Sequence, residues 1–197
     1  NSYFLVSCFL LLLLIECKQT FAQHEYDVWY FGDFAGVDFT SGTPVVLTNG
    51  QVSTLEGSSS IADASGSLLF YTDGEEVYNK NHQQMSNGFG LKGGWSSTQS
   101  ALILRQPGTD SIYYIFTVEE FLYGGLCYSI VDLTLQNGLG EVTQKNIPLL
   151  LTCTERLTAV RHANGMDYWI VIHGWNNNKF YAYHFSATGV DEIPVVS

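Results

Sequence analysis

The chain has 197 residues and a net charge of −11 at pH 7, with only 14% charged residues against 12 tyrosines, 12 phenylalanines and 4 tryptophans. This acidic balance argues against nucleic acid as a partner, because binding to a phosphate backbone requires clustered Lys and Arg. Many aromatic residues with few charges are typical of sheet-rich exported proteins, and not of disordered or helical ones.

The first predicted element is a signal peptide at residues 1–22. Tyr3 to Ile15 form an apolar run, and Thr20-Phe21-Ala22 offers small residues on both sides of Phe21 for cleavage before Gln23. The run is shorter than the roughly 20 residues of a membrane-spanning helix, so no transmembrane segment is predicted after cleavage. A buried core helix is the alternative. The signal peptide predicts export, with the mature segment 23–197 secreted or at the cell surface.

After residue 23 the chain alternates short runs rich in Val, Ile, Tyr, Phe and Thr with turns rich in Gly, Asn and Asp. A lead-in strand at Tyr26–Phe31 precedes a hairpin that occurs three times. The three hairpins pair Ser60–Ala62 with Leu68–Thr72, Ala101–Arg105 with Ile112–Thr117, and Leu157–Arg161 with Asp167–His173. Further strands are predicted at Val77–Asn79, Leu126–Leu133, Asn146–Leu151, Lys179–Ser186 and Ile193–Val196.

Four strands recurring every 45 to 55 residues or so are typical of a propeller blade. The second strands of the hairpins are apolar on both faces, as expected for strands that lie between neighbouring blades. The predicted fold is therefore all-β, a partial β-propeller of four-stranded antiparallel blades with about three blades present, and a β-sandwich is the alternative. Because propellers close with about four to eight blades, residues 23–197 are interpreted as the N-terminal part of a propeller domain that is incomplete at its C-terminus.

The predicted mature chain retains two cysteines, Cys127 and Cys153. A hairpin around the loop Gln136–Gly140 would place Cys127 beside residues 152 and 153. A disulfide between them is sterically reasonable and the exported compartment permits it, while two free buried cysteines are the alternative.

Several segments resemble the N-terminal region of large surface proteins of the Bacteroidota. They are WYFGDFAGVDF at 29–39, TLEGSSSIADASGSLLFYTDGEEVYNKNHQQM at 54–85, SSTQSALIL at 96–104, IYYIFTV at 112–118, YSIVDLTLQNGLGEV at 128–142 and ERLTAVRHANGMDYWIVIHGWNNNKFYAY at 155–183. In that family a propeller-like module precedes immunoglobulin-like or PKD repeats and a C-terminal sorting domain for type IX secretion, the route associated with gliding motility. The resemblance implies type IX secretion and an adhesion role, and supplies no catalytic residues.

The candidate ligand-binding residues are Arg161, His162, His173 and Trp175, which flank the third hairpin. Trp175 followed by three asparagines would suit stacking on a sugar ring, and a turn in which Asn adopts positive φ is the alternative. No HExxH, GxSxG or CxxC motif accompanies the histidines, so no catalytic residue and no metal ligand is predicted among them.

A calcium site is the one cofactor considered, at the acidic residues Asp63, Asp73, Glu75 and Glu76, with ordinary turns as the alternative. The predicted function is a non-catalytic extracellular or cell-surface interaction module for a glycan or protein ligand. The alternatives are the propeller part of a secreted polysaccharide hydrolase, which would need two carboxylates in one cleft, and a purely structural spacer.

Overall fold

The computed structural model describes residues 24–120 and 125–197. The predicted signal peptide, residues 1–22, lies outside these ranges. The described chain consists of strands and turns with two short 3-10 helices, His24–Tyr26 and Gln136–Gly138, which confirms the predicted all-β class. Within the described residues, no helix has the length and apolar character needed to cross a membrane.

The strands of the described chain form four consecutive antiparallel groups. They are β1 Val28–Phe31, β2 Ala35–Asp38 and β3 Val45–Leu47; β4 Ser59–Ala62, β5 Leu68–Thr72, β6 Glu76–Asn79 and β7 Gln84–Phe89; β8 Ala101–Arg105, β9 Ile112–Val118, β10 Leu126–Asp132 and β11 Glu141–Leu150; and β12 Cys153–Arg161, β13 Tyr168–Gly174, β14 Phe180–Ser186, β15 Gly189–Val190 and β16 Val195–Val196.

The three predicted hairpins are confirmed as β4–β5, β8–β9 and β12–β13. The lead-in strand is also present as β1, although it begins at Val28 because a 3-10 turn precedes it. Strands β2, β3, β7 and β15 were not predicted. The sequence of β7, QMSNGF, has only two large apolar residues among polar and glycine positions, so its alternation is too weak to be recognised.

The four groups stack as layers with a hydrophobic core between each neighbouring pair. Tyr30 and Tyr71 lie in the first core, between the β1–β3 and β4–β7 layers. Strand β9 belongs to the two other cores: Tyr113 and Ile115 face the β4–β7 layer, while Tyr114 and Phe116 face the β12–β14 layer. This explains the continuous apolar run of β9, which has no solvent-facing side.

The second and third groups are not separate sheets. One parallel pairing, between Ser86 of β7 and Glu141 of β11, joins them into an eight-stranded sheet. Its two terminal strands, β4 and β8, also contact each other, and the backbone N–H of Ile103 donates a 3.3 Å hydrogen bond to Ser59 Oγ. The sheet therefore nearly closes on itself, which differs from the predicted arrangement of separate four-stranded blades.

The register predicted for the hairpin carrying Cys127 is wrong. Cys127 lies opposite Pro148 in the β10–β11 pair, because β11 begins at Glu141 directly after the 3-10 turn and irregularities interrupt the pairing at three places. Cys153 belongs to the next layer, where it begins β12. Both cysteines are buried free thiols in the structure.

A hydrogen-bonded network ties the β1–β3 layer to the β4–β7 layer. Asn49 Oδ1 accepts from the Tyr30 hydroxyl at 3.0 Å, so the Asn49 amide nitrogen must donate to His82 Nε2, which lies 2.7 Å away. The proton of neutral His82 then sits on Nδ1 and is shared with the Tyr71 hydroxyl at 3.1 Å. The Tyr71 ring stacks on Tyr30 with 4.4 Å between centroids, and burial raises the pKa of Tyr71 to about 12.

We expect the network to make folding stability depend on pH. Burial lowers the pKa of His82, so its contribution is complete above the unfolded-state pKa of about 6.5 and is lost as the pH falls through the lower folded-state pKa. His82→Asn tolerates the positive φ of this position and cannot take up the proton. Denaturant unfolding from about pH 7.5 to pH 5.5 should show a shallower pH dependence for His82→Asn than for the parent. His173→Asn, outside the network, is the control; equal slopes in all three proteins would contradict the expectation.

Three glycines allow the chain to pack closely around the buried Ser100. A Cβ atom added at Gly57 would lie 2.2 Å from the Ser100 nitrogen, and one added at Gly74 or Gly93 would lie 2.0 or 2.5 Å from Ser100 Oγ. Ser100 Oγ also accepts a 2.9 Å hydrogen bond from the Gly94 N–H. The loop before β8 is therefore fixed against the β5–β6 turn by contacts that leave no room for a side chain.

Gly74→Ala should destabilise the fold more than Gly42→Ala does. Both glycines have positive φ, +97° and +77°, so both replacements carry the same kind of backbone penalty. Only the Gly74 replacement adds a collision with Ser100, since nothing lies within 4 Å of a Cβ at Gly42. Overpacking of this kind costs about 1–3 kcal/mol, which is the expected excess in the free energy of unfolding from urea denaturation. Equal losses in the two variants would show that the Ser100 contact relaxes freely.

Candidate functional site

A groove of about 800 Å³ lies at the start of β12, where β13 leads into the turn toward β14. Its walls come from β12, from β13 and from Thr98 and Gln99 in the loop before β8. Strands β12 and β13 pack one face against the core that they share with β9, here called the third core, as Leu157 and Ile172 show. The groove lies beside this hairpin because no further layer of the described chain covers its other face.

The aromatic side of the groove consists of His173, Trp175 and Phe180. Trp175 and Phe180 are 48% and 51% exposed. The His173 ring meets the Phe180 ring edge-on with centroids 4.8 Å apart. Together they form an apolar platform that is open to solvent.

The polar side of the groove is held in place by backbone contacts. Glu155 Oε2 accepts hydrogen bonds from the Thr98 N–H at 3.1 Å and the Thr98 hydroxyl at 3.3 Å, and the Gln99 N–H donates to the Glu155 carbonyl at 3.1 Å. Arg156 is exposed at the rim. Hydrogen-bonding groups therefore border the aromatic platform at fixed positions.

The asparagines after Trp175 act as turn residues, in agreement with the alternative stated for them. Asn176 has a φ of +52°. The Asn177 side chain donates to the Trp175 carbonyl at 3.0 Å and accepts from the Lys179 N–H at 2.8 Å. The Asn177 amide is thus used within the turn, and this turn holds Trp175 at the edge of the groove.

The four predicted ligand-binding residues are not brought together. His173 and Trp175 line the groove, whereas Arg161 and His162 lie at the far end of the same hairpin. Arg161 pairs with Tyr168, five residues before His173, which corresponds to about 17 Å along an extended strand. Proximity in sequence to one hairpin does not distinguish its two ends, which is why the four residues were grouped together.

Arg161 is engaged in the β12–β13 turn. Its guanidinium donates to the Gly165 carbonyl at 3.0 Å and to the Tyr168 hydroxyl at 3.4 Å. His162 lies in the same turn together with Asp167, and both come close to His184 of β14. Sequence reasoning named His162 and missed its two neighbours. Their proximity depends on the register of β13 with β14, which puts His184 opposite Trp169 and cannot be read from local sequence.

Of the four carboxylates considered for calcium, Asp63 and Asp73 serve local turns, while Glu75 Oε1 accepts from the Trp95 N–H at 3.1 Å and Glu76 Oε2 accepts from the Tyr78 hydroxyl. Asp63 Oδ1 accepts from the N–H groups of Ser65 and Ser67, and the Ser65 hydroxyl that also donates to it lowers the pKa of Asp63. Asp73 Oδ1 accepts from the N–H groups of Glu75 and Glu76. Within residues 24–120 and 125–197, these carboxylates do not form a three-ligand cluster.

Comparison of the chain with protein-family models, with curated proteins and with solved structures finds no match.

The free thiols near the groove should be unreactive in the folded protein. Burial, with the neighbouring Cys127, raises the pKa of Cys153 to about 12, and burial also raises the pKa of Cys127, so almost no nucleophilic thiolate exists near neutral pH. In the absence of reductant at about pH 8, iodoacetamide should leave both cysteines unmodified in the folded protein and should modify both after unfolding. Peptide mapping by mass spectrometry provides the readout. Modification of Cys153 in the native protein, or a peptide pair linked by Cys127 and Cys153, would contradict the expectation.

Proposed function

We propose that this protein is a non-catalytic binding module, secreted or displayed on the cell surface, and that its groove binds a neutral glycan. Export is supported by the signal-peptide pattern of residues 1–22. The preference for neutral chains follows from the net charge of −11, because an acidic surface repels sulfated or uronic polysaccharides.

The observation that carries the proposal is that Trp175 and Phe180 are exposed in one groove beside polar side chains. A sugar ring has apolar C–H faces that pack on aromatic rings, and hydroxyls around its edge that need hydrogen-bonding partners. Small-molecule sites commonly combine aromatic walls with a few positioned polar groups. Gln99 and Arg156 border the groove and offer such partners.

The hydrolase alternative has less support at this site. Glycoside hydrolysis uses two carboxylates about 5 to 9 Å apart on either side of the scissile bond. Of the described residues that line the groove, Glu155 is the only one with a carboxylate, and it is hydrogen-bonded to Thr98. Recognition without cleavage is therefore the simpler role for this groove.

We also infer that the β4–β7, β8–β11 and β12–β16 groups are successive propeller blades. The first strands of the three groups are neighbours, with β8 contacting both β4 and β12. Each group also packs face to face on the next through one of the cores. Both features support blades arranged around a common axis, as the family resemblance implies.

A glycan array tests the binding proposal. We expect the protein to bind neutral polysaccharides and Trp175→Ala to lower the affinity at least about tenfold, which corresponds to about 1.4 kcal/mol of lost stacking. Trp29→Ala is the matched control, because Trp29 is equally exposed but lies on β1, outside the groove. Equal loss in the two variants, or no binding by the parent protein, would overturn the glycan proposal, and the second result would favour a spacer role.

A further inference from the structure

Two histidines and one aspartate converge at the turn end of the third hairpin, at the opposite end from the groove. One candidate ligand atom from each of His162, Asp167 and His184 lies within 4.8 Å of the other two. This is the only such set of His, Cys, Asp or Glu side chains in the described parts of the chain. Two imidazoles and one carboxylate form a common ligand set for divalent transition metals.

The backbone holds these three residues together. His162 follows the end of β12 and Asp167 precedes β13, and the His162 N–H donates to the Asp167 carbonyl at 2.8 Å across the turn. His184 lies on the adjacent strand β14, opposite Trp169. The three ligands thus come from a hydrogen-bonded turn and from a strand paired with the same hairpin.

The closest pair already has the separation that a metal requires. His184 Nε2 lies 3.1 Å from Asp167 Oδ2. In a tetrahedral zinc site with bonds of about 2.0 Å, neighbouring ligand atoms lie about 3.3 Å apart. A metal ion can therefore replace the direct hydrogen bond between these two side chains with little movement of either one.

A second carboxylate orients His184. Asp191 Oδ2 lies 3.2 Å from His184 Nδ1, on the side of the ring away from Asp167. When Nδ1–H donates to this carboxylate, the Nε2 lone pair points toward Asp167 and His162. A carboxylate behind a metal-binding histidine is the usual outer partner, since it fixes the tautomer and raises the basicity of the ligand nitrogen.

Asn164 positions the other two ligands. Its side-chain oxygen accepts the N–H of Asp167 at 3.0 Å, and its amide nitrogen donates to Asp167 Oδ2 at 2.7 Å. Its backbone N–H donates to His162 Nδ1 at 3.1 Å. If His162 binds the metal through Nδ1, this last hydrogen bond is exchanged for a coordinate bond, so the site forms fully only when the ion is bound.

We propose that His162, Asp167 and His184 bind a divalent transition-metal ion, with Zn²⁺ as the preferred ion. Imidazole nitrogens favour Zn²⁺ over Ca²⁺, which takes six to eight oxygen ligands. The carboxylates of Asp167 and Asp191 balance the two positive charges of the ion. All three ligands are half-buried, which leaves a fourth position open to water or to a donor atom of a partner.

Trp169 provides a built-in reporter for this site. Its ring centroid lies 5.5 Å from that of His162 and 5.2 Å from that of His184. A paramagnetic ion such as Co²⁺ bound between the two histidines should quench the fluorescence of this indole. Trp169→Phe should abolish that quenching and leave Zn²⁺ affinity nearly unchanged.

Isothermal titration calorimetry of the folded protein with Zn²⁺, together with Co²⁺ quenching, tests the proposal. We expect one ion per chain. Asp191→Asn should lower the Zn²⁺ affinity about 10- to 100-fold, since it removes the outer partner of His184. The ligand variants should each lower the affinity further; they are His162→Gln, His184→Gln and Asp167→Asn. His173→Gln, a half-buried histidine on β13 outside the cluster, should bind as the parent does.

The proposal is overturned if the folded parent protein neither binds Zn²⁺ nor shows Co²⁺ quenching. It is also overturned if the ligand variants, shown to be folded by circular dichroism, bind Zn²⁺ with unchanged affinity, because the ion would then be held elsewhere. If a variant fails to fold, quenching that is present in the parent and absent in Trp169→Phe still locates the ion. Glycan binding by Trp175 is measured separately, so failure of one proposal leaves the other intact.

Discussion

Burial of the middle strands on both faces is the constraint on which the rest of this structure depends. Strand β9 has no solvent-facing side, so the β8–β11 layer is stable only between two other layers. The same applies to β5, where Phe70 faces one core and Tyr71 faces another. Strand β13 differs, because Ile170 and Ile172 enter the third core while the alternate residues Trp169 and Val171 remain partly exposed. As at β1, where Trp29 and Phe31 are exposed, one face of the third hairpin is therefore uncovered.

Both candidate sites belong to that hairpin, and the uncovered face explains why. Side chains such as Trp169 and His173 would be fully buried if another layer packed on them, as their counterparts on β9 are. With that face open, the groove at Trp175 and the cluster at His184 are both accessible. The two sites lie at opposite ends of the same pair of strands, so a change at one end leaves the chemistry of the other in place.

The sequence predicts the individual strands and hairpins better than it predicts which of them pair with one another in the sheet. Alternation and turn residues identify the three hairpins because each depends only on residues close in the chain. The parallel pairing of Ser86 with Glu141 and the shifted register of Cys127 depend on contacts between distant segments and on irregular pairing, which leave little periodic trace. For the same reason His162 could be named from sequence, while its convergence with His184 required knowing how β13 pairs with β14.

The outer edge of the fourth layer is divided between two strands of two residues each, β15 and β16, which pair with opposite ends of β14. Between them, the N–H of Asp191 bonds to the His184 carbonyl at 2.9 Å. A long unpaired edge would present a continuous row of N–H and C=O groups to a second chain and invite edge-to-edge aggregation. Two short strands joined by an irregular segment shorten the continuous row of backbone groups that this side of β14 presents to a second chain.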